Sequence, residues 1–149
     1  MVEIKNVLYP IDFSDNNRKI LPYVKLVTQK LGASLHLINV IRDLNNYAGF
    51  YVPHTNLEGL IRDIAAEADK KLQEFVEENL GDIEEVKTKV VTGNPANEIV
   101  AYVKEAGIDL IVMGTHGRTG LDRAIFGSVA EKVVKHSTVP VMTVNPHYV

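Results

Sequence analysis

The chain has 149 residues, no cysteine, 46% hydrophobic and 23% charged residues, and a formal net charge of −3. That length supports one domain able to bury roughly two-thirds of its unfolded surface, in a composition neither disordered nor membrane-embedded. The absence of cysteine excludes disulfides, thiolate zinc sites and cysteine nucleophiles, and the interspersed charges lack the basic stripe that nucleic acid demands.

The opening Met1-Val2-Glu3-Ile4-Lys5 has no basic stretch followed by an apolar block, so the chain is expected to be cytoplasmic. No apolar run approaches the ~18–20 residues of a membrane span. A first strand is expected from Ile4 to Tyr9, stopped by Pro10. Ser14 then caps a helix with Ile20, Val24, Val27 and Leu31 on one face, and Gly32 ends it. Ser34 to Ile41 reads as the second strand.

A long polar and aromatic loop follows, about Arg42 to Asn56, carrying Tyr47, Gly49, Phe50, Tyr51 and Pro53. Loops of this length are often functional, and this one suits either a lid or an interface. The longest helix comes next, with Leu57, Ile61, Ile64, Ala68, Leu72 and Phe75 on its apolar stripe and Gly81 closing it. The third strand spans Val86 to Thr92. Asn94-Pro95 supplies a cap and a first-turn proline for a helix through Ile99, Val100 and Val103, ended by Gly107.

Asp109 to Met113 is nearly unbroken apolar sequence, as a central strand buried on both faces requires. A glycine-rich loop leads to a helix from Ser128 to His136, and a last strand runs from Val139 to Val144 beside Pro140. Alternating strands and helices predict an α/β fold with an open five-stranded parallel sheet and helices on both faces, five strands and four helices in one domain spanning residues 1–149.

The chemistry concentrates in Gly114-Thr115-His116-Gly117-Arg118-Thr119-Gly120, continuing to Gly127-Ser128. The segment leaves a central strand and delivers the chain to a helix N-terminus. Glycines admit close approach of main-chain N–H groups and tolerate positive φ, and the uncapped helix end favours an anion. His116, Arg118 and Arg123 make the stretch basic against one acid, Asp122. Ligands in open α/β sheets lie beyond the strands' carboxyl ends, where Asp12 and Gly114 both fall. Asp12 reads either as a ligand acceptor or as a turn residue with Ser14 and Asp15. Arg118 reads either as a phosphate contact or as a surface cation. His36 is expected to be a packed residue, and His54, His136 and His147 stand at no metal-ligand spacing.

The spacing Gly114-x2-Gly117-x9-Gly127-Ser128 resembles the G-x2-G-x9-G-(S/T) signature of the ATP-binding branch of the universal stress protein family. The likeness covers the whole chain. It includes Val7 to Ser14, Gly93-Asn94-Pro95-Ala96-Asn97-Glu98-Ile99, Asp109 to Gly117, Phe126 to Glu131 and Val139-Pro140-Val141. The resemblance implies a sheet order of 3-2-1-4-5, Rossmann-like and similar to the adenine nucleotide alpha-hydrolase fold. It places a nucleotide at the junction of the first and fourth strands. Gly114, Gly117, Gly127, Ser128 and Val129 would surround phosphates and ribose, with His116 and Arg118 along the loop. Pro10, Ile11 and Asp12 would flank adenine and ribose, Val40 would offer its backbone to the base, and Met113 would line the pocket. The implied ligand is ATP, or AMP or ADP, with Mg2+ carried on the phosphates.

No Gly-Lys-Ser/Thr triplet supports a Walker-type NTPase, and no G-x-S-x-G elbow supports a hydrolase triad. The Asp-Phe-Ser-Asp turn departs from a glycine-rich dinucleotide fingerprint. Three functions stay open: a nucleotide-dependent stress-response module, a slow ATP hydrolase using Asp12 or His116 to orient water, and a dimerisation module with an empty pocket. The apolar last strand, Val139 to Val144, lies at a sheet edge in the implied order. Such an edge invites pairing, so a homodimer is expected, the alternative being that Asn145 to Val149 folds over it. A valine in place of Gly127 is expected to crowd the phosphates while leaving the sheet folded.

Overall fold

The computed structural model describes residues 1–43, 54–117 and 126–149, without the side chains of 54–56. The strands are β1 (Asn6–Pro10), β2 (Ser34–Arg42), β3 (Val86–Gly93), β4 (Leu110–Gly114) and β5 (Val141–Val144). The helices are α1 (Asp15–Lys19), α2 (Leu21–Leu31), α3 (His54–Asn79), α4 (Pro95–Glu105) and α5 (Ser128–His136). All strand pairs are parallel, in the order β3-β2-β1-β4-β5. The architecture is the expected open α/β sheet. The chain steps from β1 to β2 and β3 on one side, then crosses to β4 and β5 on the other. β1 is therefore the switch point.

Strand alternation builds two cores. Val7, Tyr9, Leu35, Leu37 and Val112 face α1, α2 and α3, meeting Ile20, Val24, Leu72 and Phe75. Leu8, Ile38, Ile111 and Met113 face α4 and α5, meeting Ile99, Val103, Ala130 and Val133. Strand β4 is buried along its whole length, as its apolar run requires.

Several element bounds differ from expectation for identifiable reasons. Asp109 does not extend β4. Its Oδ2 accepts the amides of Lys5 and Asn6 at 2.8 and 3.0 Å, pinning the entry to β1. The strand expected to begin at Val139 begins at Val141, because Pro140 has no N–H and the Ser137 hydroxyl bonds both main-chain groups of Val139. The single helix expected after Ser14 is two. Pro22 in the first turn of α2 cannot donate to the preceding turn, and Ile20 serves as C-cap of α1 and N-cap of α2. The described residues therefore hold five helices, not four. In α2 the buried stripe passes through Thr28, whose hydroxyl donates to Val24 O at 2.7 Å, and Leu31 is exposed.

Other local signals operate as their chemistry dictates. The Ser14 side chain accepts from Asn17 N, and the Asn94 side chain accepts from Asn97 N ahead of Pro95. Gly32 takes the left-handed conformation at φ 61° that closes α2. No described helix is long and apolar enough to cross a membrane.

Candidate functional site

The carboxyl ends of β1, β2 and β4 open into a cavity of about 850 Å³. Its wall includes Pro10, Ile11, Asp12, Val40, Met113 and Val129, six of the residues singled out in the sequence. Strand geometry explains the meeting. β1 sits between β2 and β4, so the segments leaving them lie side by side at the switch point. Ile11, Ile38, Val40, Ile99, Met113 and Val129 give the cavity an apolar lining, suited to a flat, weakly polar ring system.

The turn leaving β1 is held from several directions. Ile11 N donates to Ile38 O at 2.9 Å, and Asn39 Nδ2 donates to Ile11 O at 2.8 Å. Buried Asn17 links the turn to α1: its Oδ1 accepts from Asp12 N at 3.1 Å and its Nδ2 donates to Pro10 O at 3.2 Å. Tyr9 OH reaches Asn17 O at 2.6 Å, and burial pushes that phenol well above its ordinary pKa. Asp12 takes the turn role that the sequence offered as one alternative, at the edge of the cavity. Its Oδ1 accepts from Ser14 N at 2.9 Å in a local turn, and the residue also lines the cavity.

Phe13, between these residues, has φ 62° and faces the cavity. A bulky residue held in the left-handed region costs about 1–3 kcal/mol, and such strain gathers at ligand sites.

The described glycines of the loop, Gly114, Gly117 and Gly127, are needed for close approach and not for left-handed backbone. Gly127 sits at φ −62°, ψ 149°, and the positive-φ glycines among the described residues are Gly32, Gly93 and Gly107. A Cβ on Gly117 would lie 2.6 Å from Asp12 Oδ2, and one on Gly114 would lie 3.0 Å from His116 O. A Cβ on Gly127 would lie 2.9 Å from Thr115 O, the same carbonyl that accepts Gly127 N at 2.8 Å. A valine there would therefore meet the protein's own backbone before any ligand. Gly117 O also accepts from Asn16 Nδ2 at 3.1 Å, which ties the loop to α1.

Gly127 is the N-cap of α5 and supplies no side-chain cap bond. The first amides of α5 thus lack an intrahelical acceptor and stand next to Val129 on the cavity wall. Ser128 is exposed beside them. The His116 ring takes a different place from the one its loop position suggested. It is buried, with Nδ1 at 2.7 Å from Thr115 Oγ1 and its ring edge-on to His147, centroids 4.8 Å apart. Arg118, Thr119, Gly120, Asp122 and Arg123 lie outside the described residues, as do Tyr47, Gly49, Phe50, Tyr51 and Pro53. His36 is packed as expected, between Tyr102 OH at 3.0 Å and Asn6 Oδ1 at 3.3 Å.

Further wall residues escaped the sequence reading. Phe13, Ile38, Asn39, Ile41 and Arg42 come from the strand ends, Pro95 and Ile99 from α4, and Asp63, Ile64, Glu67, Ala68 and Lys71 from α3. A signal existed for some of them. Asn39 interrupts an apolar strand, and Asp63, Glu67 and Lys71 recur every four residues, a charged stripe beside the apolar one.

An open parallel sheet of this strand order, with a cavity at its switch point, defines a doubly wound α/β domain. A family model described as the universal stress protein family matches residues 3–145, and the chain belongs to that family. Universal stress protein MJ0577 of Methanocaldococcus jannaschii is 34% identical over 96% of each chain. The structure reported for MJ0577 superposes with a TM-score of 0.83 at 33% identity, covering 97% of both chains. UspA of Lactobacillus plantarum superposes at 0.74 with 26% identity, covering 97% of this chain and all of that one. Two more distant members share the fold, one solved with cAMP (20% identity, TM-score 0.61) and one from Archaeoglobus fulgidus solved with dAMP (18%, 0.63).

Proposed function

We propose that this universal stress protein binds an adenine nucleotide, ATP with its magnesium ion, as a regulatory module whose occupancy selects shape or partner. The observation that carries the reading is the cavity itself. Pro10, Ile11, Asp12, Val40, Met113 and Val129 come from four separate stretches of sequence, and all six line one space at the switch point. In this reading the apolar lining takes the base, Asp12 accepts from the ribose hydroxyls, and the amides of Gly117, Ser128 and Val129 meet the phosphates. His116, through its main chain, and Arg118 belong to the same loop. The cAMP and dAMP complexes of more distant members support an adenine nucleotide as the class of ligand. Among the described residues no three carboxylate or imidazole groups gather to hold a metal, so magnesium would be held by the phosphates and water.

Binding is favoured over hydrolysis because the two residues considered for orienting water, Asp12 and His116, are engaged structurally. Asp12 serves the turn to Ser14, and the His116 imidazole is buried against Thr115 and His147. Calorimetric titration with magnesium ATP should give one site per chain, with Asp12→Ala weakening it. An absence of both heat and thermal stabilisation at millimolar ATP would overturn the reading.

A homodimer through the edge strand accompanies this proposal. Val141, Met142 and Thr143 of β5 are each half-buried, and β4 pairs with only one side of the strand. A second copy would cover the open side.

A further inference from the structure

The segment after β5 is tied to the glycine-rich loop by specific contacts. Val144 O accepts Thr115 N at 3.0 Å, which joins the end of β5 to the first residue beyond β4. The chain then makes a compact turn over Asn145-Pro146-His147-Tyr148. Tyr148 N donates to Asn145 O at 3.2 Å, and His147 N donates to Asn145 Oδ1 at 3.0 Å. Asparagine at the first position and proline at the second are the residues this turn favours, because one bonds its own backbone and the other presets φ. Pro146 is buried, so the turn is packed against the body of the protein. Its product is the placement of His147, whose ring meets the buried His116 ring at 68°. His116 in turn bonds Thr115, and Thr115 O holds Gly127 N at the start of α5. One chain of contacts therefore runs from His147 to both ends of the loop.

We propose that His147 is a positioning residue for the two ends of the glycine-rich loop, holding Thr115 and Gly127 in the arrangement that receives the nucleotide phosphates. The proposal rests on the nucleotide reading above and deepens it. The mechanism is preorganisation: with the ring pair in place, the strand exit at Thr115 and the α5 entry at Gly127 are ordered before the ligand arrives. Removing the pair leaves that ordering to be supplied on binding. An edge-to-face aromatic pair sets the scale, so the affinity lost is about threefold to tenfold. Coupling is reciprocal, so bound nucleotide holds the turn closed by the same factor.

The test compares magnesium ATP affinity in wild type, His147→Ala and His147→Phe by calorimetry, with circular dichroism as the check on folding. The expected result is a threefold to tenfold weaker His147→Ala and near wild-type binding by His147→Phe, which keeps a ring at that edge. Hydrogen exchange on the wild-type protein supplies a readout independent of the variants. Saturating ATP should slow exchange at the His147 and Tyr148 amides by the same factor. Equal affinity of wild type and His147→Ala, or tail amides indifferent to ATP, would overturn the proposal while leaving the nucleotide reading intact. A wild-type protein that binds no ATP would instead remove the reading and the proposal together.

Discussion

Gly117 and Gly127 occupy equivalent places in the sequence signature, yet a methyl group would meet different obstacles at each. At Gly117 it would approach the Asp12 carboxylate, the movable end of a side chain. At Gly127 it would press on the Thr115 carbonyl, part of the fixed junction between β4 and α5. Gly117→Ala should therefore change stability by less than about 1 kcal/mol, because Asp12 can swing aside. It should weaken ATP binding about tenfold, because the acceptor has been displaced. Gly127→Val should overpack the junction and lower Tm by about 3–10 °C. Thermal melts alongside ATP titrations check the pair, and equal stability of the two variants would contradict the geometry. At this scale the sequence marked which glycines matter, but not what each one approaches. Phe13 left no signal at all, because its φ of 62° is imposed by the bonds fixing Asp12 and Ser14 around it.

Elements were legible where local chemistry decides them. The Asn94-Pro95 start of α4 and the Gly32 end of α2 follow from their caps. Misreadings arose where a distant partner intervened, as with Asp109 reaching back to Lys5 and Asn6. The pairing of β2 with α4 gives a test of its own. His36 lies between Tyr102 and Asn6, with Lys87 and Glu85 nearby on the β3 side. Burial foremost, and then the Lys87 charge, hold its pKa below 6.5, with Glu85 opposing. The folded state thus binds fewer protons than the unfolded state below that value, and stability falls as pH drops from about 6.5 toward the lowered folded pKa. Urea midpoints at pH 7.5 and 5.5 should show a loss that His36→Gln reduces. An undiminished loss in that variant would assign the pH dependence to other groups.

Across the whole molecule, the sheet order and the two cores follow from alternation of apolar residues and from the resemblance carried by the glycine signature. The cavity was only half visible. Residues at strand ends could be placed by topology, whereas Asp63, Glu67 and Lys71 reach it because α3 folds back over β2, a tertiary event without a motif. The β5 edge adds a molecular prediction. Light scattering at micromolar concentration should return the mass of two chains, and a lysine replacing Met142 should return one; a wild-type monomer would refute pairing through this strand.

The central claim is that adenine nucleotide occupies the cavity at the ends of β1, β2 and β4. Photolabelling with 8-azido-ATP, followed by mapping of the labelled peptides, tests that location directly. The account predicts label on Pro10–Phe13 or Asn39–Arg42, abolished by excess ATP. Label confined to other segments, or insensitive to ATP, would contradict it.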